Sequence, residues 1–246
     1  MIHSVTVVVP TFNEVVAIQR TLERILAFLS AHQLAFQVIV SDDGSTDGTA
    51  ELVEREFAGR VQVVHGAHAG KGAAVRSGVA AARCEWVLIC DADLSIPIDL
   101  LLELGHSTER APIVIGSKHV PGRTAAYPPL RWLASRVGQA LIATLVVRGF
   151  HDTQCGFKLI RSDVARQLFA AQRLDGFGYD FEILHLARRW GIAVIEVPVT
   201  CEHRLGGTVR PGAYLRTLYE VLTVAGMRLF GRYPSTPPLQ VSQVAV

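Results

Sequence analysis

Trp86-Val-Leu-Ile-Cys-Asp-Ala-Asp93 is the stretch from which the rest of the chain can be read. Its first five residues, Trp86 to Cys90, form an apolar run of the length of a short buried strand. Two carboxylates follow at once, Asp91 and Asp93, with the small Ala92 between them. A buried strand delivers its last residues to the rim of the sheet, where open α/β sheets bind ligands. Two acids placed there repel each other unless a cation or a donor stands between them. Hard carboxylate oxygens in that setting suit Mg²⁺ or Mn²⁺ carried with substrate phosphates. Asp-x-Asp also closes strands as a plain Asx turn, so the neighbouring loops must decide.

Upstream, Ser4-Val-Thr-Val-Val-Val9 is a β-branched run that predicts a first strand, stopped by Pro10 and followed by the loop Thr11-Phe-Asn-Glu14. Val15, Ile18, Leu22, Ile25, Leu26 and Leu29 then mark one buried face of a helix. Phe36 to Ser41 predicts a second strand, ending in Asp42-Asp-Gly-Ser-Thr-Asp47, where Ser45, Thr46 or Asp47 can cap a helix. Val61 to His65 predicts a third strand and Lys71 to Ala82 an Ala-rich helix. This alternation predicts an α/β fold with a mostly parallel, Rossmann-like sheet and right-handed crossovers.

In such a sheet the polar ends Thr11-Phe-Asn-Glu14, Asp42-Asp43 and Asp91-Ala-Asp93 leave at one edge. Their convergence points to a nucleotide-diphosphate site, with carboxylates accepting from base and ribose and Asp91 and Asp93 holding the metal. Gly66 to Gly72 lacks the spacing and the Ser/Thr of a P-loop. Gly70-Lys71-Gly72 still opens a helix, so Lys71 either faces a phosphate or merely starts that helix.

Downstream, Ile113 to Gly116 continues the sheet, Pro121 to Pro129 is an irregular loop, and Leu130 to Val147 is an apolar helix. Gly156 to Ile160, a helix from Ser162, a helix Tyr179 to Arg189 and a strand Ala193 to Val197 follow. Tyr214 to Leu229 is amphipathic, and Tyr233 to Val246 reads as a Pro/Ser/Gln tail without a core. A net charge of +2 excludes nucleic-acid binding driven by bulk charge. Four cysteines without Cys-x-x-Cys spacing predict reduced thiols. Met1-Ile-His-Ser offers no signal peptide, and the run Val137 to Val147 is far short of the roughly 20 residues that cross a bilayer.

Val7-Val-Val-Pro-Thr-Phe-Asn-Glu14, Val40-Ser-Asp-Asp-Gly-Ser-Thr-Asp47, Gly70-Lys-Gly72 and Asp91-Ala-Asp93 resemble the inverting family-two glycosyltransferases of GT-A fold. Asp152-Thr-Gln-Cys-Gly-Phe-Lys158 and Gly176-Phe-Gly-Tyr-Asp-Phe-Glu182 are similar to the polyprenyl-phosphate branch, the dolichyl-phosphate β-glucosyltransferases above all. The resemblance covers about residues 4–210 and implies a catalytic domain over residues 1–210; the residue pattern beyond it predicts an amphipathic helix over 211–232 and a flexible tail over 233–246. The resemblance implies that Pro10, Thr11, Asn13, Glu14, Asp42, Asp43, Lys71, Asp91 and Ala92 line the nucleotide, with Asp91 and Asp93 on Mg²⁺ or Mn²⁺. Lys118 would face a donor or acceptor phosphate, and Arg204 and Arg210 would close over the diphosphate. Here Gly207-Thr-Val-Arg210 stands where relatives often carry Gly-Ser-Lys.

The implied reaction is direct displacement at an anomeric carbon by a lipid phosphate, with UDP-glucose as the donor. Metal and lysine or arginine charge then stabilise the leaving diphosphate. Asp180 and Glu182 are candidates for a base or for positioning the acceptor, against the plainer reading of acids favoured at a helix N-terminus. Asp152 either positions sugar hydroxyls or is an ordinary loop acid. The helices around Arg131, Arg136, Arg148 and around Arg216, Arg228, Arg232 fit a membrane interface, or alternatively core packing or a homo-oligomer face. The expected location is the cytoplasmic face of a membrane, peripherally held. Alternatives are a GDP-mannose donor, a saccharide acceptor, or a nucleotide-sugar-binding protein without turnover.

Overall fold

The computed structural model describes residues 2–119, 129–201 and 211–237. The chain order is β1 (Ser4–Thr11), α1 (Val15–Ala31), β2 (Ala35–Asp42), α2 (Thr49–Glu56), β3 (Gln62–His65), α3 (Lys71–Ala80) and β4 (Trp86–Ile89). Then come α4 (Leu100–Gly105), β5 (Ile113–Ser117), α5 (Pro129–Leu145), β6 (Lys158–Arg161), α6 (Ser162–Ala171), α7 (Tyr179–Arg189), β7 (Val194–Pro198) and α8 (Pro211–Leu229). Seven strands form one sheet in the order β3-β2-β1-β4-β6-β5-β7. All pairings are parallel except those of β6, which runs antiparallel to both β4 and β5.

The central strands are buried on both faces, as parallel strands under two helical layers must be. Val5, Val7 and Val9 of β1 and Trp86 and Leu88 of β4 join the cluster under α1, α2 and α4. Val8, Val87 and Ile89 join the opposite cluster with α3, α6 and α7. The Ala/Gly-rich composition of α3 lets it lie close on the sheet. A Cβ at Gly78 would collide with Val8 Cγ1, and Ser41 Oγ donates to the Ala74 carbonyl at 2.6 Å.

Pro10 does not stop β1, which continues to Thr11. Cys90 N donates to the Val8 carbonyl, so Val8 and, two residues on, Pro10 face β4; their partner strand has already ended at Ile89. The missing N–H of proline therefore costs no ladder bond. The helix after the second strand also starts later than its candidate caps suggest. Gly48, in the left-handed conformation (φ 90°), holds the cap position, and Asp47 Oδ1 accepts from Thr49 N at 3.0 Å. Tyr233, read as the start of a coreless tail, is buried against α7. Among the described residues no helix is long and apolar enough to cross a membrane.

Candidate active site

β2, β1 and β4 lie side by side, so the three acidic loops do leave at adjacent points of one rim, with Thr11 level with Asp42 and Val8 level with Ile89. Sequence position alone, however, does not say what each acid does there. Asp42 is buried and accepts from Thr11 Oγ1 (3.1 Å), Ser45 N (2.8 Å), Ser45 Oγ (2.5 Å) and Gly44 N (3.1 Å). Asp43 accepts from Ala69 N (2.9 Å) and Gly70 N (2.9 Å). Asn13, with φ 56°, accepts from Thr46 N at 2.9 Å and donates its own N–H to Ser45 Oγ. Asp42, Asp43 and Asn13 thus fasten the rim loops to one another and to the start of α3. Ala92 is buried and its carbonyl accepts from Thr21 Oγ1 at 2.6 Å. Beside this frame, exposed Phe12 stacks on His68 with ring centroids 4.1 Å apart, giving the rim an aromatic face that sequence reasoning missed.

Asp91 is held by lysine. Lys71 Nζ lies 2.5 Å from Asp91 Oδ1. Burial pushes the Asp91 carboxyl up, but the Lys71 ammonium, then Lys158 and Lys118, outweigh it and hold the carboxyl below the usual aspartate range. Burial likewise works against charge on Lys71. Asp91, Asp180 and Asp93 reverse that and hold the ammonium above the ordinary lysine range. A Cβ at Gly156 would collide with Asp91 Oδ2, so glycine is needed there for the carboxylate to keep its place. Glu14 completes the acidic side: burial, then the charges of Asp93, Asp47 and Asp91, push its carboxyl up from the ordinary glutamate value.

Lys71 takes one oxygen of Asp91, the first of the two acids expected to hold the metal. Asp93 Oδ1 accepts from Ser95 N at 2.8 Å, and among the described residues its Oδ2 has no protein partner. No group of three metal-competent side chains stands together among the described residues. One half-exposed carboxylate with further acids nearby is nevertheless what Mg²⁺ or Mn²⁺ requires when substrate phosphates fill the remaining positions. The donor set fits such an ion, which Asp93, with Asp91 beside it, could hold.

The second half of the chain adds a buried cation to Lys71 and Lys118. Because β6 runs antiparallel, its first residue, Lys158, pairs with Ile89 at the end of β4, one step from the acidic loop. Lys158 is fully buried and its ammonium bonds Asp180 Oδ1 and the Cys155 carbonyl. Lys158 stood in the quoted sequence motif without a role; a lone lysine inside Gly156-Phe-Lys-Leu-Ile160 was the signal. Asp152 is buried, with Lys118 N at 3.1 Å and Lys118 Nζ at 3.7 Å from Oδ2. Glu196 of β7, also missed, grips the backbone N–H groups of His151 and Asp152 at 2.9 Å each.

Glu182, a candidate base, is not at the site. It is fully buried and accepts from Arg173 N (2.8 Å), Leu174 N (2.9 Å) and Tyr233 Oη (2.7 Å). Arg204 and Arg210 lie outside the described residues. Cys201, just before them, lies in the field of Lys118, Asp93 and Asp91, so the chain enters that segment from the site's rim.

The mostly parallel, Rossmann-like sheet with one reversed strand and helices on both faces is a GT-A fold. The glycosyl transferase family 2 pattern matches residues 6–169, and this chain belongs to that family. It is 30% identical to the dolichyl-phosphate beta-glucosyltransferase ALG5A of Trichomonas vaginalis over 235 residues, 89% of this chain and 72% of that one. The dolichyl-phosphate beta-glucosyltransferase of Dictyostelium discoideum is 30% identical over 84% of this chain and 68% of its own. In fold it matches mannosyl-3-phosphoglycerate synthase from Rubrobacter xylanophilus (TM-score 0.71, 18% identity, 94% of this chain, 76% of the other). It also matches glucosyl-3-phosphoglycerate synthase from Mycobacterium tuberculosis in complex with Mn²⁺, UDP and glucosyl-3-phosphoglycerate (TM-score 0.69, 22% identity, 91% and 80%).

Proposed function

We propose that this glycosyltransferase moves glucose, with inversion, from UDP-glucose to a polyprenyl phosphate of the dolichyl type at a membrane surface. The observation that carries the reading is the convergence of Asp91 and Asp93 with Lys71, Lys158 and Lys118, a balanced acid and lysine cluster suited to a diphosphate. The names of the relatives support glucose and dolichyl phosphate. The exposed Phe12–His68 pair offers a flat face for a base.

In the proposed reaction an acceptor phosphate oxygen bonds to the anomeric carbon as the bond from that carbon to the UDP oxygen breaks. The electron pair leaves with UDP. A divalent ion held by Asp93 would supply charge to the departing diphosphate. Lys71 and Lys118 orient phosphate oxygens, while Lys158 keeps Asp180 and Asp91 in place. A phosphate acceptor, with a second pKa of about 6, is largely ionised near neutrality and needs no strong base. The occupied states of Asp180, Asp152 and Glu182 favour such an acceptor over a sugar hydroxyl, which would need a free carboxylate.

The bilayer side of the reading rests on α8. Leu215, Leu218, Tyr219, Leu222 and Leu229 are exposed along it and Phe230 just past its end, with Arg216 and Arg228 on the same helix. A basic helix with an uncovered apolar stripe suits an anionic lipid interface.

Radiolabelled UDP-glucose with Mn²⁺ and a polyprenyl phosphate should send label into the organic phase, and Asp93→Asn should abolish the transfer. Label recovered only in a water-soluble saccharide, or transfer undiminished by Asp93→Asn, would overturn the proposal. Efficient use of GDP-mannose in place of UDP-glucose would reassign the donor.

A further inference from the structure

Glu220 lies on α8, outside every motif that carries the chemistry, yet its side chain is buried. Its Oε2 accepts from Gly178 N at 2.8 Å, and Gly178 is the residue that opens α7. Its Oε1 faces Arg216 Nε at 3.6 Å. The carboxylate fills the space beside Gly176, where an added Cβ would collide with Oε1. A side chain at 176 would therefore expel Glu220 or be expelled by it.

The turn that Glu220 grips is held on its other side by the candidate active site. The Asp175 carbonyl accepts from Ala73 N at 3.1 Å, and Arg76 reaches Asp175 Oδ1 at 2.7 Å. Phe177, half-exposed at the tip, has Lys71 Nζ 5.9 Å from its ring centroid, and Lys71 is the residue that holds Asp91. Two residues beyond Gly178 comes Asp180, paired with Lys158. On the opposite face of α8 stand the uncovered Leu218, Tyr219 and Leu222. One carboxylate thus connects a helix with an open apolar face to a turn that borders both lysine–aspartate pairs.

We infer that Glu220 is a positioning residue, coupling the seating of α8 to the placement of Phe177 and Asp180 beside the acid and lysine cluster. When α8 shifts against its surroundings, the Gly176–Gly178 turn follows, because among the described residues Gly178 N is the one backbone donor bonded to the buried carboxylate. The inference rests on the transferase reading for its kinetic consequence only.

Glu220→Ala is the test, read in two ways. Transfer to a polyprenyl phosphate should fall in kcat by about tenfold to a hundredfold, the scale of a misplaced reacting group. Affinity for UDP with Mn²⁺, measured calorimetrically, should stay within about twofold, since Glu220 touches none of its residues. Glu220→Gln, which keeps an acceptor oxygen for Gly178 N, should restore most of kcat. Independently of turnover, an indole placed by Phe177→Trp should become more accessible to acrylamide when Glu220→Ala is added. Unchanged kcat and unchanged quenching would overturn the inference, as would a parallel loss of nucleotide affinity, which marks a merely structural role. Should Glu220→Ala not fold, Glu220→Asp, which draws the carboxylate back by one methylene, is read by the same criteria. A wild-type protein without transferase activity but with the quenching change would sink the proposed function and leave the coupling standing.

Discussion

Lys158→Met is the substitution whose effect the structure specifies most fully. The Lys158 ammonium has no solvent exposure and its partner Asp180 is 5% exposed at the side chain, so the pair is taken almost wholly out of water. Methionine keeps the length and apolar stem of lysine and removes only the charge and its donors. Asp180 is then left as a buried carboxylate without its ion-pair partner, and the Cys155 carbonyl loses the Lys158 donor. Breaking a buried pair from one side costs about 3–5 kcal/mol, because the surviving charge has given up hydration for nothing. For a domain of this size each kcal/mol moves the melting temperature by roughly 2–4 °C, so a fall of roughly 6–20 °C is expected. Thermal and urea unfolding near neutral pH measure it. Lys158→Met combined with Asp180→Leu removes both charges and should recover most of the loss. A single variant within about 1 kcal/mol of the parent, or a double variant no more stable than the single, would refute the argument that this pair is dry and mutually dependent.

Gly156→Ala pushes a methyl group into the place of Asp91 Oδ2, so transfer should drop by about a hundredfold while circular dichroism stays native; wild-type turnover would show that the carboxylate moves without penalty. Burial raises the Glu182 carboxyl above its ordinary value, so its stabilising contribution is fully present below the unfolded pKa and is lost as pH rises through the folded one. The stability gap between the parent and Glu182→Gln should therefore narrow as pH is raised from 4 toward 7, and urea titrations showing a constant or widening gap would contradict this. Leu218→Glu with Leu222→Glu removes two exposed leucines from α8, and co-sedimentation with anionic vesicles should fall more than tenfold, since each buried leucine contributes about 1.5–3 kcal/mol. Undiminished vesicle binding would show that another surface meets the lipid.

The half of the fold that the residues disclosed best is the run from β1 to β4, where β1, β2 and β4 are apolar stretches ending in polar or acidic loops and α1 carries a clear helical periodicity. Direction was harder. Lys158–Arg161 is only four residues long and reads alike in either sense, so its reversal is not visible in its own composition. The acids show a second limit. Asp42, Asp43, Asp91, Asp93 and Glu182 are alike as letters, and what separates them is which N–H groups reach their oxygens after folding. Asp42 and Asp43 are bonded by the loops around them, Glu182 by the Arg173–Leu174 backbone and Tyr233, and Asp93 keeps one oxygen without a partner among the described residues. Tyr233 escaped notice for a related reason: its proline and serine neighbours suggest a tail, while one aromatic ring with a hydroxyl suffices to dock against Glu182 and His185.

The reversed strand also bears on how the molecule is made. Among the described residues β5 pairs with β6 and β7 alone, and β6, its link to β4, lies some forty residues further along the chain, so a chain still being made has β5 before it has a partner for it. Until then the apolar edge of Trp86–Ile89 lies open, an invitation to association between nascent chains. Insertion of β6 closes that edge and brings Lys158 to the acid cluster in the same event, so a half-made chain lacks both the finished sheet and the full set of charges that its ligand would meet.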